Sequence, residues 1–132
     1  MIPNTALLTD LYELTMMQGY FRYDMHQRAV FDMFFRRQPF DGGFSVFAGL
    51  KDLLTALQSI EFSDADIEYL DSLGLFRHDF LDYLKSFRFT GDVWAMPEGT
   101  TVFPHEPMVR IHTTMPEGQL IESMVLNTLN FQ

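Results

Sequence analysis

A chain of 132 residues that is 47% hydrophobic and 20% charged has the length and apolar content of one folded domain, which excludes a disordered segment. Its formal net charge of -9 repels nucleic acid and anionic membranes, whose binding rests on Lys and Arg, so neither is expected as a partner. The lack of cysteine excludes disulfides and thiolate metal sites, and no run approaches the ~18 consecutive apolar residues of a membrane span.

No basic and then apolar leader opens the sequence, and a cytoplasmic protein is expected. The 14 Phe, 9 Met and 5 Tyr are more large side chains than a domain of this length readily hides. Part of that apolar surface is expected to meet another domain or subunit.

In chain order, Leu7, Leu11 and Leu14 recur at helical spacing, predicting a helix from Thr5 to about Tyr20 with Thr5 or Thr9 as cap and Gly19 near its end. The aromatic and β-branched run from Ala29 to Arg37 predicts a strand, stopped by Pro39 and the Asp41-Gly42-Gly43 turn. Val46, Leu50, Leu53, Leu54 and Leu57 share one face of a helix predicted over Phe44 to Ile60, with Gly49 inside it. Ser63 and Asp66 form a capping box for a helix ending at Gly74, and Phe80, Leu81 and Leu84 predict another over Arg77 to Phe87.

Three short strands follow, over Gly91 to Met96, Thr101 to Phe103 and Met108 to His112, separated by Pro97, Pro104 and Pro107. Met115-Pro116 then opens a strongly apolar helical pattern through Leu120, Ile121, Met124, Val125 and Leu129. That pattern carries no stop signal, and the helix is expected to lead on into a further domain.

The residues alone say little about chemistry. His26, His78, His105 and His112 never fall three or four apart, so they do not form a two-His metal motif. Arg36 and Arg37 close an aromatic strand before a Pro/Gly turn, where guanidinium groups reach a phosphate or simply pair with carboxylates and solvent. Tyr12 reads as a core aromatic or as a ring offered to a planar ligand, and Asp10 and Glu13 read as complements to the helix dipole.

Four ordered blocks nevertheless form a pattern: LLTDLYELTM over Leu7 to Met16; FDMFFR from Phe31, with Pro39-Phe40, Gly43-Phe44 and FAGL from Phe47; Pro97-Glu98-Gly99 with Phe103-Pro104 and Glu106-Pro107; and LNTLNFQ from Leu126. Together they cover nearly the whole chain, which resembles the opening of nicotinate phosphoribosyltransferases, members of the type II phosphoribosyltransferases.

That resemblance implies an α+β fold, a mainly antiparallel sheet with packed helices over residues 1–114. Residues 115–132 would be a helix leading into a downstream α/β barrel that this chain lacks. The implied reaction joins nicotinate to 5-phosphoribosyl 1-diphosphate, coupled to ATP hydrolysis and requiring Mg²⁺, and yields nicotinate mononucleotide and diphosphate for NAD salvage. Nicotinamide or quinolinate as the pyridine, or a non-catalytic dimerisation module, are the alternatives.

By the same resemblance Tyr12 stacks on the pyridine, Asp10 shapes that pocket, and Arg36 and Arg37 approach phosphates. No catalytic residue and no metal ligand is assigned within the chain. A head-to-tail homodimer with shared active sites is implied, and the chain alone is expected to be inactive.

Overall fold

The computed structural model describes residues 6–131. The elements run α1 (Leu11–Arg22), β1 (Arg28–Met33), a single 3₁₀ turn (Pro39–Asp41), β2 (Ser45–Val46), α2 (Leu50–Ser59), α3 (Asp64–Ser72) and α4 (His78–Lys85). β3 (Asp92–Ala95), β4 (Thr101–Val102), β5 (Val109–Thr114) and α5 (Met115–Asn130) follow. The fold is α+β, its sheets antiparallel throughout.

β5 is the central strand of a three-stranded sheet in the order β1-β5-β3, with Ile111 between Phe31 on one side and Val93 on the other. Alternation along these strands turns Met33, Val109 and Ile111 inward, while Val30, Asp32, Trp94 and Arg110 face out. α5 crosses the inner face and buries Leu120, Ile121, Met124 and Val125, meeting Leu14 and Met17 of α1 in the same core. Leu53, Leu70, Phe80 and Leu84 from α2, α3 and α4 complete it.

Four local readings are corrected. α1 is capped by Asp10, whose N–H donates to Glu13 Oε2 at 3.1 Å; Thr5 lies outside the described residues. Gly19 does not end α1, because Phe21 continues it by stacking on Tyr83 at 4.9 Å between ring centroids. β1 stops at Met33, four residues before the predicted end, where its partner strand β5 begins beyond Pro107. The chain past it is held by single bonds, such as His105 N–H to the Phe35 carbonyl at 2.8 Å.

The predicted helix over Phe44 to Ile60 is in fact a short strand and a shorter helix. Ser45 and Val46 pair with Val102 and Thr101, and Gly49 turns the chain with φ of 93°, a left-handed conformation that costs a residue with Cβ about 1–2 kcal/mol. Glu98 then caps α2 from across the fold, its Oε1 accepting both the Gly49 and Leu50 N–H at 2.8 Å.

The buried polar group of most consequence is Glu117, in the first turn of α5. It accepts the Thr90 N–H at 2.9 Å, the Thr90 hydroxyl at 2.8 Å and the Thr113 hydroxyl at 2.7 Å. This carboxylate ties α5 to β5 and to the loop before β3, and its charge, after burial, is the second cause of the raised pKa of Tyr83.

Candidate functional site

The N-terminal end of α1 is fixed by a polar latch to α5. Glu13, with no solvent exposure, receives the Thr9 hydroxyl and the Asp10 N–H on Oε2. The Ser123 hydroxyl lies 3.0 Å from Glu13 Oε1 and 3.1 Å from Asp10 Oδ2. Charge-assisted bonds of this kind hold a helix end in one orientation.

Tyr12 sits between these two carboxylate residues in sequence, with 50% of its surface exposed. It is therefore not a core aromatic. Partial burial, then Glu122, Glu13 and Asp10 in turn, holds its hydroxyl above the ordinary phenol range, so the ring stays a neutral face at physiological pH. Asp10 itself is engaged in the latch and in the cap of α1.

Beside this end of α5 a cavity of about 470 Å³ opens between β1 and α5, walled by Phe31, Met33, Ile121 and Val125 with Arg36 and Glu122 among its polar groups. Burial, then the charges of Glu13 and Asp10, raises the Glu122 pKa. Glu122 thus belongs both to the cavity and to the surroundings of Tyr12. Asp32 also borders the cavity but is committed to Arg110, with bonds of 2.7 and 2.8 Å that lower its pKa.

Adjacent in sequence, Arg36 and Arg37 address different places. Arg37 borders a second cavity of about 270 Å³ with Ser45, Phe47 and Asn130. Arg28, Arg77, Arg88 and Arg110 each ion-pair with a carboxylate, at 3.4, 3.1, 3.0 and 2.7 Å, whereas Arg36 and Arg37 pair with none among the described residues. Two uncommitted guanidinium groups in a chain of net charge -9 are available to an anion.

Sequence reasoning brought forward Tyr12, Asp10, Arg36 and Arg37 but missed Glu122 and Ser123. Both are polar positions next to the apolar run of Leu120, Ile121, Met124 and Val125 on α5, and no motif in the sequence singles them out. Among the described residues no three His, Asp or Glu side chains converge on a metal-sized site. No helix among them is long and apolar enough to cross a membrane.

The family model described as the nicotinate phosphoribosyltransferase (NAPRTase) N-terminal domain matches residues 7–130. A nicotinate phosphoribosyltransferase of Mycobacterium tuberculosis, pncB2, is 46% identical over 127 residues, 96% of this chain and 27% of its own length. The Bacillus subtilis nicotinate phosphoribosyltransferase is 43% identical over 129 residues, 96% of this chain and 26% of its own.

The crystal structure of human nicotinic acid phosphoribosyltransferase superposes with a TM-score of 0.83 at 34% identity, over 92% of this chain and 25% of that one. The chain therefore spans about a quarter of the length of the relatives it matches. With its antiparallel α+β fold and a match over nearly its whole length, the chain belongs to the nicotinate phosphoribosyltransferase N-terminal domain family.

Proposed function

We propose that this chain supplies the pyridine-stacking and part of the phosphate-binding surface of an enzyme that joins nicotinate to 5-phosphoribosyl 1-diphosphate, forming nicotinate mononucleotide and diphosphate for NAD salvage. The observation that carries the reading is the half-exposed ring of Tyr12 on a helix end locked by Glu13 and Ser123. An aromatic residue whose backbone is already held costs less further ordering when a flat heteroaromatic settles on it. Arg36, unpaired at the mouth of the β1–α5 cavity, supplies a planar fork for a phosphate group.

Ribosyl transfer needs the ring nitrogen aimed at the anomeric carbon and the leaving diphosphate neutralised. In this reading Tyr12 contributes to the first requirement, with Asp10 positioning it, and Arg36 and Arg37 to the second. ATP coupling, Mg²⁺ and a head-to-tail homodimer sharing its sites belong to the proposal for the whole enzyme. The chain by itself is expected to give no turnover.

The test is steady-state kinetics of a full-length enzyme carrying this chain, with and without ATP, beside Tyr12→Phe and Tyr12→Ala. Loss of a stack worth about 0.5–1.5 kcal/mol raises KM for nicotinate roughly two- to twelvefold in Tyr12→Ala and much less in Tyr12→Phe. An unchanged KM in Tyr12→Ala removes the stacking role, and product from nicotinamide or quinolinate but not nicotinate reassigns the pyridine.

A further inference from the structure

The first turn of α1 is held in place by polar bonds more than by packing. Leu11 and Tyr12 are each 50% exposed, and Glu13 is the one side chain of that turn inside the protein, with no exposed surface. The apolar anchors of the helix, Leu14 and Met17, come after it. What Glu13 binds therefore decides how this turn is oriented.

Glu13 takes part in no ion pair among the described residues, so its carboxylate depends on neutral donors for the solvation that burial removes. The Thr9 hydroxyl and the Asp10 N–H belong to the same end of α1 and move with it. The Ser123 hydroxyl, 3.0 Å from Glu13 Oε1, comes from α5, 110 positions away. The local donors shape the turn, and Ser123 ties it to α5.

The Thr9 hydroxyl also lies 3.3 Å from the Leu120 carbonyl, but its single proton serves the closer carboxylate. The Ser123 hydroxyl is 3.1 Å from Asp10 Oδ2 as well, so its one proton is shared between carboxylates on either side of Tyr12 in sequence. Burial, then the charges of Glu122, Glu13 and Asp10, raises the Tyr12 pKa, which sets the phenol beside the same carboxylates.

Without the Ser123 hydroxyl the buried carboxylate keeps only donors from its own turn. It recovers solvation by swinging outward or by admitting water, and the backbone that carries Tyr12 shifts with it. The effect travels through Glu13, the residue that follows Tyr12.

We infer that Ser123 is a positioning residue for pyridine binding: through Glu13 it fixes the orientation in which the first turn of α1 presents the Tyr12 ring. This role deepens the stacking reading of Tyr12 and rests on it.

The test is steady-state kinetics of a full-length enzyme carrying this chain, with Ser123→Ala, Ser123→Thr, Tyr12→Ala and the double variant Tyr12→Ala/Ser123→Ala. Ser123→Ala is expected to raise KM for nicotinate roughly two- to fivefold, no more than Tyr12→Ala does, with kcat held within about twofold. Ser123→Thr keeps the hydroxyl and is expected to retain the parent KM. KM of the double variant is expected to match that of Tyr12→Ala within about 1.5-fold, because the ring being oriented is gone. Thr113→Val removes a buried bond to Glu117 at the start of α5, controls for general loosening, and is expected to leave KM unchanged.

If Tyr12→Ala raises KM and Ser123→Ala does not, the inference falls while the stacking reading stands. If neither raises it, or if Ser123→Ala does so although Tyr12→Ala is silent, the stacking reading falls and the inference with it. Effects that multiply in the double variant, loss of the parent KM in Ser123→Thr, or an equal rise in Thr113→Val also overturn the inference. Should Ser123→Ala fail to fold, Ser123→Cys, close in size but only a weak donor, is read by the same comparison.

Discussion

Replacing Glu117 with alanine tests whether the polar tie between α5 and the sheet holds the fold. The carboxylate accepts three bonds of 2.7 to 2.9 Å from Thr90 and Thr113, and Thr113 is only 1% exposed. Each buried donor left without an acceptor costs about 1–3 kcal/mol. Thr90 is exposed and regains water, so the uncompensated loss falls mainly on the Thr113 hydroxyl and on the methylenes of Glu117 itself.

The expected destabilisation is about 2–4 kcal/mol, which for a domain of this size lowers Tm by roughly 8–15 °C. Urea and thermal unfolding followed by circular dichroism would measure it, with the urea slope checked for constancy. In a cycle with Thr113→Val, the double variant is expected to lose less than the sum of the singles, since both remove the same bond. A loss under about 0.5 kcal/mol, the range of ordinary surface changes, would refute the role assigned to this carboxylate.

Three further outcomes follow from the geometry. A Cβ at Gly91 would stand 2.7 Å from Thr113 Cβ and 2.8 Å from the His112 carbonyl, which as backbone cannot yield; Gly91→Ala is expected to cost about 1–3 kcal/mol in urea unfolding. Gly19, with open space around it inside α1, is expected to gain up to about 1 kcal/mol on the same change. Glu98→Ala removes the acceptor for the Gly49 and Leu50 N–H groups and is expected to cost about 0.5–2 kcal/mol, with faster amide exchange at Leu50.

The pH dependence separates two carboxylates. Asp32, lowered below its ordinary 3.8 by hydrogen bonding to Arg110, contributes stability above that pH that is lost as the pH falls through its folded value. Asp32→Asn therefore flattens the acid limb of Tm against pH. Glu122, raised above its ordinary 4.5 by burial and then by Glu13 and Asp10, stabilises only while protonated and loses that contribution as pH rises. Glu122→Gln is accordingly expected to raise Tm at neutral pH, and a lowered Tm there would contradict the sign.

Elements whose signals are local were legible in the sequence. The Ser63–Asp66 capping box and the Phe80, Leu81 and Leu84 face sit where the pattern put them, and Tyr12 and Arg36 emerged through the resemblance of their surrounding motifs. What escaped was set by partners distant in sequence. Gly49 reads as a weak helix residue until Glu98, 49 positions away, is seen capping the helix that starts after it. Arg36 and Arg37 read as one basic pair until the early end of β1 sends them to separate cavities. Glu117 reads as a first-turn acid until three donors converge on it.

The latch from Ser123 to Asp10 joins residues 113 positions apart, and β1 must find β5 across most of the chain. Such pairings carry a large loop-closure entropy and place the molecule among slowly folding, high-contact-order topologies. During synthesis α1 and β1 leave the ribosome long before β5 and α5 exist. The early product is a helix with an unsheltered strand, while α3 and α4, adjacent in sequence, can pack at once. The apolar segment from Ala29 to Phe35 is thus at its most vulnerable to misassociation before the second half of its own sheet has been made.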